Sequence, residues 1–364
     1  MNKTAFYWDE RCFWHTGNNY AQLAPVGGFV QPMVAGGLPE APETKRRLKN
    51  LMDVTGLSDD LNMLGGTEAS WDDLLRVHPE PYLKEFKQLS DARGGELGLR
   101  TPFGPGGFDI AALSAGLVQQ AVHDVLSNKY TNAYALSRPP GHHCLPDWPN
   151  GFCLLNNIAI AIEAAKSNHL FKRVAVVDWD VHHGNGTEHI YYERNDVLTI
   201  SIHQERCYPQ NTGDINAAGK GEGLGFNMNI PLPPGCGHNS YLYAIDQLVL
   251  PKLQSFNPDL IIVACGFDAS GYDPLSRMMC SAETFRLMTR KLLQTSNNKL
   301  VVVHEGGYSE MYVPFCGHAV IEELSGSSKA AGDPMSERIN GQQPNKKVDA
   351  FHSTLIDEMT QELL

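Results

Sequence analysis

Five short apolar runs punctuate the chain, at residues 134–137, 174–179, 197–202, 260–265 and 300–304, and a sixth at 226–232 alternates more with polar positions. Unbroken apolar runs of this length, bounded by turn residues, predict strands buried on both faces. The segments between them carry apolar residues at helical spacing. Asp109 is read as the cap of a helix bearing Ile110, Leu113, Leu117, Ala121 and Val125. Ser281 is read as the cap of another, with Glu283 in its first turn and Phe285, Met288 and Leu292 on its apolar face. A third covers 241–253 with Leu242, Ile245 and Val249. Buried strands alternating with helices predict an α/β fold with a largely parallel sheet. Residues 325–347 are polar and rich in Gly, Ser, Asn and Pro, so a long loop is expected there, followed by a final helix over 348–363. No internal repeat is visible.

At 364 residues, length alone would suggest two domains. The polar groups with chemical potential run from His142 to Tyr308, however, and a central cut would split them. One domain over 1–364 is therefore expected, with its core at about residues 5–325. The net charge of −12, without a Lys- or Arg-rich run, argues against tight nucleic-acid binding. A cationic substrate or basic partner suits the sign better. The eight cysteines show no Cys-x-x-Cys spacing and read as reduced thiols of a cytoplasmic protein. The first residues lack the apolar stretch of a signal peptide, and the longest apolar runs, about eight residues, fall short of a membrane span.

Four of the predicted strands end in polar, Gly-flanked segments. Residues 134–137 lead into Arg138-Pro-Pro-Gly-His-His143, and residues 174–177 lead into Asp178, Asp180, His182 and His183. Residues 260–265 lead into Gly266-Phe-Asp268, and residues 300–303 into His304-Glu-Gly-Gly-Tyr308. Ligands of open α/β sheets bind outside the carboxyl ends of the strands, so these four segments are expected to share one site. Two carboxylates and two imidazoles within six residues need a cationic partner if buried. Asp180 and His182, two apart in an extended segment, point to the same side as ligands of one metal ion must. A hydrogen-bonded loop without metal is the alternative.

Pro139-Pro-Gly-His-His143, Asp178-Trp-Asp-Val-His-His-Gly-Asn-Gly-Thr187, Gly266-Phe-Asp268 and Glu305-Gly-Gly-Tyr308 together resemble the zinc-dependent histone deacetylase superfamily. With Asn185 in the second motif, the chain is similar to class II enzymes and to bacterial histone deacetylase-like amidohydrolases. The resemblance covers roughly residues 5–325 and includes Tyr7-Trp-Asp-Glu-Arg11 and Val77-His-Pro-Glu-Pro-Tyr-Leu83. It implies an arginase-like single domain with a central, mainly parallel eight-stranded sheet flanked by helices.

The same resemblance implies roles. Asp180, His182 and Asp268 would hold one Zn²⁺ and leave a position open for chemistry. His143 would be the general base, held by Asn185. His142 would be its electrostatic partner, oriented by Asp178. Tyr308 would donate a hydrogen bond to the oxyanion. Phe152, beside Gly151, and Tyr208 would wall the acyl-lysine tunnel, with Tyr208 standing where relatives usually carry Phe. Leu275 stands where polyamine-preferring relatives carry Glu, which disfavours acetylpolyamines. An inner K⁺ would use Asp178, Asp180, His182, Ser201 and the carbonyl of Ile202. An outer K⁺ would use carbonyls of Tyr191, Arg194, Val197 and Phe226.

The implied activity is zinc-dependent hydrolysis of N-acyl amides, foremost the acetyl group of a lysine side chain. The substrate would be an acylated lysine protein or a small acylated amine, and a homo-oligomer with no membrane association is expected. A two-manganese, arginase-like hydrolase and a non-catalytic acyl-lysine binder are the rival readings. The Gly- and Pro-rich stretch 21–42 is read as either a tunnel rim or an oligomer contact.

Overall fold

Alternate residues of each apolar run face opposite sides of one sheet, and both sides are covered. The structure is a computed structural model describing residues 3–16, 20–21, 24–33, 38–296 and 299–364. Eight strands build the sheet: β1 (Thr4–Tyr7), β2 (Asn62–Leu64), β3 (Asn132–Ala135), β4 (Val174–Asp178), β5 (Val197–Gln204), β6 (Asn227–Leu232), β7 (Leu260–Cys265) and β8 (Leu300–His304). Their order is β6-β5-β4-β7-β8-β3-β1-β2. Every pairing is parallel. In β4, Val174 and Val176 pack with Leu113, Leu117, Ile158 and Ile162 of the helices Gly107–Leu126 and Asn157–Ser167. Ala175 and Val177 face the other way, toward Met288, Leu292 and Val320 of the helices Ala282–Thr295 and Val313–Ser325. The two-residue period of a strand thus feeds two apolar cores.

This order sets the four central strands β4, β7, β8 and β3 side by side. They are the strands whose carboxyl ends carry the polar segments, so topology gathers the site along one edge of the sheet.

Several element boundaries differ from the sequence pattern. The helix expected to start at Asp109 begins at Gly107, because Gly106 takes a left-handed conformation (φ 77°) and the Ser90 hydroxyl accepts the Phe108 N–H. Asp109 instead sits in the first turn, where its charge suits the helix dipole. Ser281 does cap its helix and trades hydrogen bonds with Thr284. The segment 241–253 is helical but composite. It runs as His238–Ala244, a π-helical turn Ile245–Val249, and Leu250–Phe256. A short helix, Ser336–Gly341, interrupts the expected loop 325–347. It is held there by buried Ile339 and by Gln343, whose amide donates to the Met279 carbonyl and accepts the His238 N–H. The last helix spans Lys346–Leu363. No helix among the described residues is long and apolar enough to cross a membrane. Of the stretch 21–42, residues 22, 23 and 34–37 lie outside the described residues.

Two glycines of the β4 motif are required by close approach. A Cβ on Gly184 would lie 2.2 Å from Asp178 Oδ2, and one on Gly186 would lie 2.4 Å from the Cys144 carbonyl oxygen. Their φ angles are not positive. Gly186→Ala is therefore expected to push the helix Asn185–Tyr191 off the His143–Cys144 backbone, costing about 1–3 kcal/mol as overpacking does. Urea unfolding checks this; an unchanged midpoint would refute the contact.

Candidate active site

Asp178 ends strand β4, Asp180 and His182 follow in the segment just beyond it, and all three are buried. The His182 ring nitrogen Nδ1 lies 3.1 Å from Asp180 Oδ1 and 3.1 Å from Asp268 Oδ2. The other carboxylate oxygens are held from outside: Asp268 Oδ1 accepts the Val181 N–H at 2.7 Å, and Asp180 Oδ2 accepts the Gly306 N–H at 2.8 Å. One atom from each of the three residues lies within 4.8 Å of the others. Burial opposes the His182 charge, but the Asp268 charge and hydrogen bonds to both carboxylates hold its pKa well above the usual value. Two clamped carboxylates converging on one imidazole nitrogen make a donor set that fits a divalent metal with three protein ligands.

One further cluster of potential ligands occurs among the described residues, comprising His142, Cys153 and Glu305. Glu305 Oε2 accepts the N–H groups of Gly141 and His142 at 2.7 and 3.1 Å, which ties the end of β8 to the tandem-histidine turn. It shares no carboxylate with the first cluster.

The His142 and His143 rings lie 4.0 Å apart, tilted by 38°, beside the triad. His142 Nδ1 is 2.9 Å from Asp178 Oδ2, and His143 Nδ1 is 2.8 Å from Asn185 Oδ1. Burial would lower the His142 pKa, yet the charges of Asp178 and Asp180 raise it to about 10. For His143, burial and the neighbouring His142 and His182 push the pKa well below its usual value. Adjacent imidazoles are thereby driven to opposite protonation states. Since Nδ1 of His143 donates to the Asn185 carbonyl oxygen, its Nε2 is left as the acceptor.

Gly306 explains how Tyr308 joins the group. A Cβ there would lie 2.3 Å from Asp268 Oδ2, 2.6 Å from Asp180 Oδ2 and 3.0 Å from the Tyr308 hydroxyl, so these three groups converge on that glycine. Gly307 adopts φ 115°, a conformation open to glycine and strained for other residues. The Tyr308 N–H is fixed by Asp273 Oδ2 at 2.7 Å, and Asp273 Oδ1 also accepts the Leu275 N–H. Burial, then the Asp268 charge, holds the Tyr308 phenol protonated well beyond its usual pKa.

A cavity of about 710 Å³ opens above these residues, lined among others by Phe152, Tyr208, Leu275 and Tyr308. The Tyr208 hydroxyl donates to Asn150 Oδ1, so the polar end of this aromatic is occupied by the protein. Gly151 backs the wall, because a Cβ on it would lie 2.5 Å from His143 Cδ2 and 2.9 Å from Tyr208 Cε1. Ser201 pairs with Asp178 across β5 and β4, beside Ile202. Tyr191, Arg194 and Val197 sit around the start of β5, where the Tyr191 carbonyl accepts the Arg194 N–H and the Phe226 carbonyl accepts the Thr199 N–H. Each such oxygen retains a second lone pair. Glu305, Asp273 and Asn150 are supporting residues that the sequence reading did not assign. Glu305 stands in the Glu305-Gly-Gly-Tyr308 motif, Asp273 lies two residues before Leu275 and Asn150 precedes Gly151, but hydrogen bonds to remote groups leave no local signature.

A model of the histone deacetylase domain matches residues 38–324. The chain is 54% identical over 361 residues to a histone deacetylase-like amidohydrolase of Pseudomonas aeruginosa, covering 98% of this chain and 95% of the relative. It is 32% identical over 366 residues to histone deacetylase 8 of Arabidopsis thaliana, covering 94% and 96%. A probable deacetylase of Archaeoglobus fulgidus is 37% identical over 303 residues, covering 80% and 84%. Among solved structures, the HD domain of HDA15 superposes with a TM-score of 0.83 at 29% identity, covering 98% of this chain and all of that one.

Proposed function

This chain belongs to the histone deacetylase family, and from that premise we propose that it is a zinc-dependent hydrolase of N-acyl amides that removes acetyl groups from lysine side chains. The observation that carries the reading is the meeting of Asp180, Asp268 and the Tyr308 hydroxyl at Gly306, with the two histidine rings beside the triad. Asp180, His182 and Asp268 would hold Zn²⁺, which when bound supplies a Lewis acid for the amide carbonyl and a more acidic water.

The protein's own groups divide the remaining work. Neutral His143 takes a proton from the attacking water at Nε2. His142, kept cationic by Asp178, stabilises negative charge beside it. As the carbonyl carbon becomes tetrahedral, the Tyr308 phenol donates to its oxygen, where the charge develops. The C–N bond then breaks, and His143 returns its proton to the leaving amine. Opposed protonation states on neighbouring titratable groups are what such acid–base work requires.

Phe152 and Tyr208 flank the lysine stem in this reading, and Leu275 leaves the rim without a carboxylate for a second ammonium. The proposal includes K⁺ at the inner and outer sets named above, a single deacetylase domain over the whole chain, a homo-oligomer and a cytoplasmic setting. The test is release of acetyl and trifluoroacetyl groups from a lysine reporter by zinc-loaded protein, with and without a chelator. Chelator-sensitive acetyl release is expected. Trifluoroacetyl turnover alone would mean a different natural acyl group, and no turnover would favour a binding module.

A further inference from the structure

We propose that Arg100 reads a carboxylate next to the acylated lysine, so that the enzyme prefers acyl-lysine in an acidic context over a basic one. The inference rests on the acyl-lysine reading above and deepens it. Among the described residues lining the cavity, Arg100 is the one with a fixed charge. Asp180 and Asp268 lie buried beneath. The guanidinium sits over the Tyr208 ring, 5.7 Å from its centroid. It forms no hydrogen bond or ion pair among the described residues, and Glu96, the nearby acid in sequence, is engaged with the Thr101 N–H.

The position is built by the backbone. Arg100 has φ 60°, a strained choice for a non-glycine residue. Its carbonyl accepts the Phe152 N–H and the Leu99 carbonyl accepts the Gly151 N–H, both at 3.0 Å. Gly98 lies so close to Pro149 that a Cβ would sit 1.9 Å from the Pro149 oxygen. The loop carrying the cation is thus stitched to the segment carrying the tunnel wall. A planar fork of donors, laid on an aromatic face and without a carboxylate of its own, suits a substrate carboxylate.

The sign makes the idea testable. A chain of net charge −12 attracts basic peptides at long range. A preference for acidic flanks therefore has to come from a local contact. Zinc-loaded enzyme would be assayed on three acetyl-lysine peptides at low salt, with Asp, Ala or Lys on both sides. Acetyl-lysine with a free α-carboxylate would be compared with its amide, which separates a side-chain acid from a chain end. The expected kcat/KM ratio of acidic to basic peptide is about three- to tenfold, from one partly exposed attraction and its matching repulsion. It should shrink in 1 M salt.

Arg100→Gln should bring the ratio to unity or below, Arg100→Glu should invert it, and Arg100→Lys should keep most of it. Because the readout is a ratio within each protein, partial loss of folded enzyme leaves it intact. Equal rates on acidic and basic peptides, a ratio unaltered in Arg100→Gln, or one persisting in 1 M salt would each overturn the proposal while leaving lysine deacetylation standing. No turnover of any acyl-lysine substrate would overturn the functional reading, and this proposal with it.

Discussion

Tyr308→Phe is expected to lower kcat on acetyl-lysine by about 10²- to 10³-fold, the loss seen when one oxyanion donor is removed. Affinity for a hydroxamate, which grips the metal through its own oxygens, should fall by less than about tenfold, the worth of one neutral hydrogen bond. The substitution removes a single oxygen. The ring keeps its edge contacts with Phe152 and His182, at centroid distances of 5.8 and 6.2 Å. The backbone keeps its hydrogen bond to Asp273, because that bond starts from the main-chain N–H. What disappears is a phenol that burial and the Asp268 charge keep protonated, hence always a donor. A donor aimed at charge that forms only in the transition state should act on kcat more than on binding. Parallel loss of turnover and hydroxamate affinity would sink the assignment.

The parts of this site that were legible in sequence share a physical reason. Strands β7 and β8 match the apolar runs at 260–265 and 300–304 residue for residue, since both faces of a central strand demand apolar side chains. The strand expected at 134–137 lies at Asn132–Ala135, shifted because Asn132 and Ala133 already pair with β1. Edge strand β2, at Asn62–Leu64, is three half-buried residues and carries no pattern to find. Glu305 and Asp273 act on backbone N–H groups of other segments, and no local composition encodes such a partner. Arg100 was equally hidden: the overall charge of −12 suggested a cationic substrate, whereas the cation at the cavity mouth suggests the reverse for the groups nearest the lysine. Net charge sets the far field, and contact specificity belongs to the few residues within reach.

Asp268→Ala is expected to abolish both catalysis and the stabilisation that zinc confers. In wild-type protein, zinc at about 100 times its dissociation constant should add about 2.7 kcal/mol to stability, read as a rise of several degrees in the unfolding midpoint. The alanine variant should lose that increment, together with turnover by at least about 10³-fold, the several kcal/mol a Lewis acid supplies to such a reaction. Two buried carboxylates stand 3.1 Å from one imidazole nitrogen, and each holds its second oxygen on a backbone N–H. Removing Asp268 also frees the Val181 N–H, so some stability will be lost without metal. Asp268→Asn separates the two effects, because its one amide oxygen can keep the Val181 hydrogen bond while the NH2 group that takes the place of Oδ2 offers the metal no lone pair. It should retain apo stability near wild type and show a reduced zinc increment. The second cluster offers the contrary outcome: if Asp268→Ala keeps the zinc increment and Cys153→Ser loses it, the ion sits with His142, Cys153 and Glu305. The roles given to Asp180, His182 and Asp268 would then be wrong.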